Sequence, residues 1–193
     1  MRIFVGLDIP EEIRAAIARY TDGLRNFAPD VRWVRPESFH VTLKFIGEQK
    51  LERVDQIKRE LAAVKAAPFE VAFRDNGFFP NAKSPRVFWV GIHASDALPK
   101  LAASVDEAVS RIDIPRETNP YKPHLTLARS GSGRPHPQPG DRPNNKLARL
   151  ADKLEALPQP DFGTMTAREF VLYESQLGPS GARYFKLQAF PLE

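Results

Sequence analysis

The hydrophobic positions of this chain switch repeatedly between two periods. Ile3, Phe4, Val5 and Leu7 form a short apolar run across residues 2–9 that predicts a first strand. Pro10-Glu11-Glu12 places proline and acids where a first helical turn favours them, and Ile13, Ile17, Tyr20, Leu24 and Phe27 continue as a helical stripe. Leu51, Val54, Ile57, Leu61 and Val64 form a second stripe, after which Phe69, Val71 and Phe73 alternate as in a strand. Residues 86–92 read as another strand, followed by a helix through Leu98, Leu101, Val105, Val109 and Ile112. A fourth helix carries Leu147, Leu150, Leu154 and Leu157. Two closing strands, 170–177 and 183–190, flank the turn-forming Gly178-Pro179-Ser180-Gly181. Mixed elements of this kind predict an α+β fold.

The chain also resembles itself. Offset by 84 residues, Arg2-Ile3-Phe4 falls on Arg86-Val87-Phe88, Pro36 on Pro120, His40-Val41-Thr42-Leu43 on His124-Leu125-Thr126-Leu127, and Gly47 on Gly131. Ten positions of 1–47 are identical to their counterparts in 85–131, where composition alone would give about three. The matches fall on strands and on one polar motif, while the helices drift out of register. This pattern predicts one bilobal domain over residues 1–193, with lobe-forming repeats at about 1–80 and 85–193. Residues 130–143, rich in proline and glycine and without periodicity, predict a long surface loop. That loop is either a tolerated insertion or a flap carrying Arg134 or Arg142 over a phosphate.

Within a strand, residues i and i+2 share a face. His40 and Thr42 therefore project together, as do His124 and Thr126, while Val41, Leu43, Leu125 and Leu127 face a core. Each motif thus presents an imidazole beside a hydroxyl. Opening a phosphodiester without a metal requires a base for water and an acid for the leaving oxygen, and histidine suits both because its ordinary pKa lies near ~6.5. Threonine hydroxyls can donate to the non-bridging phosphate oxygens. A single His-x-Thr-x is a weak signal; two in matched repeat positions are far stronger.

Composition narrows the picture further. The 28 Lys and Arg against 24 Asp and Glu leave a net charge of +4, which suits a polyanion such as RNA and is also common among proteins with no such role. The absence of cysteine excludes disulfides, zinc–thiolate sites and thiol nucleophiles. No apolar run approaches the ~20 residues needed to cross a bilayer, and the N-terminus lacks the pattern of a signal peptide. A cytoplasmic protein without membrane attachment or an obligate protein partner is the expectation.

The segments running from Arg35 to Glu48 and from Tyr121 to Arg129, with 85–91 and the tail around Tyr173 and Tyr184, resemble the 2H phosphoesterase superfamily, within it the LigT-type RNA 2′,3′-cyclic phosphodiesterases. The resemblance runs nearly end to end, leaving only 131–143 unmatched. It implies two similar lobes, each with an antiparallel sheet and flanking helices, around a central cleft. It implies metal-independent hydrolysis of a terminal 2′,3′-cyclic phosphate, on RNA or a nucleoside, to a 2′-phosphomonoester, with no cofactor and with weak 2′–5′ joining of RNA ends as a side reaction. Following the family, His40 is the proton donor and His124 the acceptor, although the near-symmetric motifs do not distinguish the two. Arg129 matches a family phosphate ligand, but a regular strand turns position i+5 away from His124, so the role requires a bulge or a strand ending near Leu127. Phe45, its counterpart in the first repeat, is either a stacking surface for a base or a buried strand aromatic. His93 and His136 carry no expected chemistry, while Arg35, Lys44 and Lys122 flank the motifs as an RNA path or a solvated rim.

Two other readings remain open on the sequence alone. One is a two-histidine ribonuclease cleaving internal RNA bonds, and the other a non-catalytic nucleotide-binding module of the same fold. A metallohydrolase is disfavoured, because neither motif has the spacing of a metal cluster.

Overall fold

A computed structural model of the chain describes residues 1–131, 145–178 and 181–193. The elements run β1 (Arg2–Leu7), α1 (Glu11–Leu24), β2 (Arg32–Trp33), β3 (Val41–Glu48), α2 (Leu51–Ala62), β4 (Phe69–Phe79), β5 (Val87–Ala94), α3 (Ala97–Ser110), β6 (His124–Arg129), α4 (Ala148–Glu155), β7 (Asp161–Ala167), β8 (Glu169–Gly178) and β9 (Gly181–Pro191). Short 3-10 turns at Arg25–Phe27 and Pro36–Ser38 bracket β2. The stripe predicted to reach Phe27 thus ends as α-helix at Leu24, with Ile13, Ile17 and Leu24 buried as expected.

The strands form two antiparallel sheets, ordered β3-β1-β8-β9 and β2-β6-β5-β4-β7. Apart from the added β2, the two have one plan. The motif strand pairs with the first strand of its repeat (β3 with β1, β6 with β5), and two further strands follow. The sheets do not divide the chain between residues 80 and 85. β4 belongs with β5 and β6, and the C-terminal β8–β9 hairpin returns to β1. One continuous core joins them, including Val5, Val41, Val71, Phe73, Val90, Leu125 and Phe170 from strands and Ile17, Ile57, Leu98 and Val105 from helices.

Lys44 is not on a solvated rim. β3 carries an extra residue at Leu43, where Val5 pairs with Lys44 and Gly6 with Thr42. The bulge turns Lys44 inward, leaving it 5% exposed, with Nζ 2.6 Å from Asp106 Oδ1 on α3 and donating to the Pro115 carbonyl at 2.7 Å. A buried ammonium is tolerated only when paired and hydrogen-bonded in this way. Lys44 therefore fastens the first motif strand to the second repeat's helix.

The sequence pattern missed β2 and β7. β2 is two residues long, too short for any period. β7 is an edge strand whose residues are mostly exposed, and only Phe162, Met165 and Ala167 reach the core, without strict alternation. Apart from Ser130 and Gly131, the predicted loop at 130–143 lies outside the described residues, as do His136, Arg134 and Arg142. Among the described residues no helix is long and apolar enough to cross a membrane.

Candidate active site

His40 immediately precedes β3. Its Nδ1–H donates to the Ser38 carbonyl at 2.8 Å. A carbonyl can only accept, so the neutral ring carries its proton on Nδ1 and leaves Nε2 as a lone pair. Thr42 Oγ1 donates to that Nε2 at 3.0 Å. Across the ladder Gly6 faces Thr42, and a Cβ on Gly6 would stand 2.8 Å from the Val41 carbonyl oxygen and 3.6 Å from the His40 ring. Glycine is required there for β1 to come this close.

His124 opens β6 with the same arrangement. Its Nδ1–H donates to the carbonyl two residues back, that of Lys122, at 2.7 Å. Both histidines therefore offer Nε2 outward, and Thr126 follows His124 on the same strand face, as Thr42 follows His40. The two motifs meet in space. Tyr121, just before His124, donates its hydroxyl to the Thr42 carbonyl at 2.9 Å.

The bulge that Arg129 requires is present. Phe88 pairs with Ala128 and Trp89 with Thr126, so Leu127 is the extra residue. Leu127 and Ala128 are both buried, and Arg129 returns to the face of His124 and Thr126, its Nη2 3.3 Å from Thr126 Oγ1. The bulge at Leu43 occupies the equivalent position in the first repeat. It turns Phe45 to the face of Thr42, where Phe45 is 59% exposed rather than a buried strand aromatic. Each lobe thus presents a histidine, a threonine and a third residue, and only the third differs.

The electrostatics favour uncharged histidines while the cleft is empty. Burial pushes His40 down to about 4, against an upward pull from its Ser38 hydrogen bond and from Asp8, while Arg129 and His124 lower it further. His124 is lowered chiefly by burial and also by Arg129, its hydrogen bond to Lys122 opposing the shift. Burial also makes the charge on Arg129 costly, as does Arg32, its partner across the β2–β6 ladder. An anion entering this space favours the charged forms of both histidines and of Arg129.

These shifts set an expectation for pH. With these two histidines as acid and base, the optimum of kcat/KM is expected below pH ~6.5, with activity lost as the acid deprotonates. A bound phosphate favours both imidazolium forms, so the optimum of kcat should lie at higher pH. Parallel profiles of the two parameters test this, and a kcat/KM optimum at or above that of kcat would contradict it.

Residues that motif reading missed surround His40. Tyr184 of β9 meets its ring edge-on at 4.9 Å, and Phe4 lies 4.7 Å away, stacked in turn on Tyr173. Phe79 packs edge-on against His124 at 4.9 Å. Tyr173 and Tyr184 stood in tail segments already marked by resemblance, but their proximity to His40 depends on how the hairpin folds back. His93 lies on β5 with Nε2 2.7 Å from Asp75, Arg35 is half-buried, and Lys122 is exposed while lending its carbonyl to His124. Among the described residues there is no group of three or more His, Cys, Asp or Glu placed to hold a metal ion.

The family model described as LigT like Phosphoesterase matches the chain twice, over residues 7–89 and 90–184, one copy per repeat. The chain belongs to the LigT-like phosphoesterase family. Relatives include the RNA 2′,3′-cyclic phosphodiesterase of Archaeoglobus fulgidus, 33% identical over 98% of this chain and 99% of the relative. That of Thermus thermophilus is 34% identical over 100% of this chain and 90% of its own length. Among solved structures, a Thermus thermophilus protein superposes with a TM-score of 0.76 at 30% identity, covering 100% of this chain and 98% of that one. Escherichia coli LigT complexed with 3′-AMP gives 0.76 at 26%, covering 99% and 97%. The α+β architecture read from the sequence is thus the LigT-like fold, and the chain carries the family model twice as it carries two sheets of common plan.

Proposed function

We propose that this chain is an RNA 2′,3′-cyclic phosphodiesterase acting in the cytoplasm, hydrolysing terminal cyclic phosphates to 2′-phosphomonoesters with His40 as proton donor and His124 as proton acceptor. The observation that carries the reading is the matched pair of imidazoles, each with Nδ1–H tied to the carbonyl two residues back and a threonine two residues on along its strand. The names of the full-length relatives point the same way.

In the proposed reaction, neutral His124 Nε2 removes a proton from water as the water oxygen attacks phosphorus in line with O3′. The bond from phosphorus to O3′ breaks, and protonated His40 gives its Nε2 proton to O3′. A 3′-hydroxyl and a 2′-phosphomonoester result, and the histidines then exchange protons with solvent. Thr42, Thr126 and Arg129 donate to the non-bridging oxygens, where charge must be held in the transition state. Phe45 offers an exposed ring on which a base can stack. Asp8 favours a charged His40, while Arg129 opposes the charge on both histidines, His40 included. Burial opposes the charge on His40 until the phosphate arrives. The net charge of +4 favours an RNA end over a neutral partner.

The test is a short RNA ending in a 2′,3′-cyclic phosphate, incubated with the protein in excess EDTA. Full turnover to a 2′-phosphate is expected, because acid, base and oxyanion donors all come from side chains. Arrest by EDTA with rescue by Mg²⁺ or Mn²⁺ would defeat the metal-free mechanism. Internal cleavage of intact RNA at a comparable rate would instead make the protein a ribonuclease.

A further inference from the structure

His40 is held by more than its own hydrogen bonds. Arg14, in the first turn of α1, has a side chain only 13% exposed. Its Nη2 donates to Asp8 Oδ1 at 2.8 Å and to the Ile9 carbonyl at 3.1 Å. Its Nη1 donates to the Pro36 carbonyl at 2.5 Å and to the Phe39 carbonyl at 3.3 Å. One guanidinium thus bridges the end of β1 and the turn that delivers His40. Between Pro36 and Phe39 stands Ser38, whose carbonyl receives His40 Nδ1–H. The clamp is anchored from the far side, since Lys186 Nζ of β9 lies 2.6 Å from Asp8 Oδ2. Ser38 Oγ donates to the Ala182 carbonyl of the same strand at 3.2 Å.

We infer that Arg14 is a positioning residue for His40, fixing the turn whose Ser38 carbonyl sets the tautomer and aim of the imidazole. The inference rests on the assignment of His40 as proton donor. Only a planar fork with several donors can satisfy carbonyls on two segments and a carboxylate together; a lysine in the same place cannot. Arg14 and Asp8 also line a cavity of about 310 Å³ reaching His40, Tyr173 and Tyr184. Water rather than protein would replace the lost guanidinium there, leaving the turn unsupported.

The test uses Arg14→Met, which keeps length but removes every donor, beside Arg14→Lys. A displacement of about 1 Å in a catalytic group costs on the order of 10²-fold, so kcat should fall by about that much with KM little changed, and Arg14→Lys should not restore it. The decisive substrate has O3′ replaced by sulfur. A thiolate leaves without a proton, so both Arg14→Met and His40→Ala should come within about threefold of the unmutated protein on it, while His124→Ala stays severely impaired. If His40→Ala recovers and Arg14→Met does not, Arg14 is a general structural support and the inference fails alone. If His40→Ala does not recover, the donor assignment fails and the inference with it. Should Arg14→Met not fold, Arg14→Lys carries the test: it should lose activity with oxygen and recover with sulfur, and an unrecovered loss would overturn the inference.

Discussion

Alanine at His40 or at His124 is expected to lower kcat/KM by about 10²–10⁴-fold while leaving the fold intact, because general acid and general base each contribute on that scale to a single displacement. Both rings line the cleft half-buried, outside the apolar cluster that holds the sheets together, so the melting temperature should change little. The double variant should cost far less than the product of the singles, since residues acting as one unit are strongly non-additive. Steady-state kinetics on a cyclic-phosphate RNA, with thermal melts of each variant, provide the check. Near-normal turnover in either single variant would remove that histidine from the reaction.

Arg129→Met is expected to cost about 10²-fold in kcat/KM, the scale on which a single donor to a developing oxyanion acts. A second signature separates electrostatics from packing. Arg129 lowers both His40 and His124, so its loss should raise both groups in the free enzyme. The kcat/KM optimum should then move to higher pH. A loss of rate with an unmoved optimum would mean that Arg129 shapes the site without setting its charge.

Much of this was legible along the chain. The helical stripes containing Ile13 and Ile17, or Leu98, Leu101 and Val105, fall on buried helix faces. The pairing of His40 with Thr42 and of His124 with Thr126 follows from strand geometry alone, since a period of two is local. The internal repeat showed that the two motifs are equivalent, hence the two sheets of one plan. Edge elements were harder to see. The few core contacts of β7, at Phe162, Met165 and Ala167, do not alternate strictly, and two-residue β2 leaves no pattern at all.

What the sequence determined by itself is the chemistry on offer: two imidazoles, two hydroxyls and an arginine in repeated positions. Tertiary structure decided which way the later residues of each motif strand point. Bulges at Leu43 and Leu127 reverse the alternation, sending Lys44 inward to Asp106 and bringing Phe45 and Arg129 to the histidine face. A bulge is a mismatch between two strands, so neither strand records it alone. Tertiary structure also gave the two histidines different surroundings. Asp8, Arg14, Tyr184 and Lys186 lie far apart in sequence and reach His40 only because the C-terminal hairpin pairs with β1 and α1 packs beside the turn at Pro36–Ser38. Local periodicity carries faces and elements. The charge and aim of a side chain depend on groups that only long-range pairing brings near it.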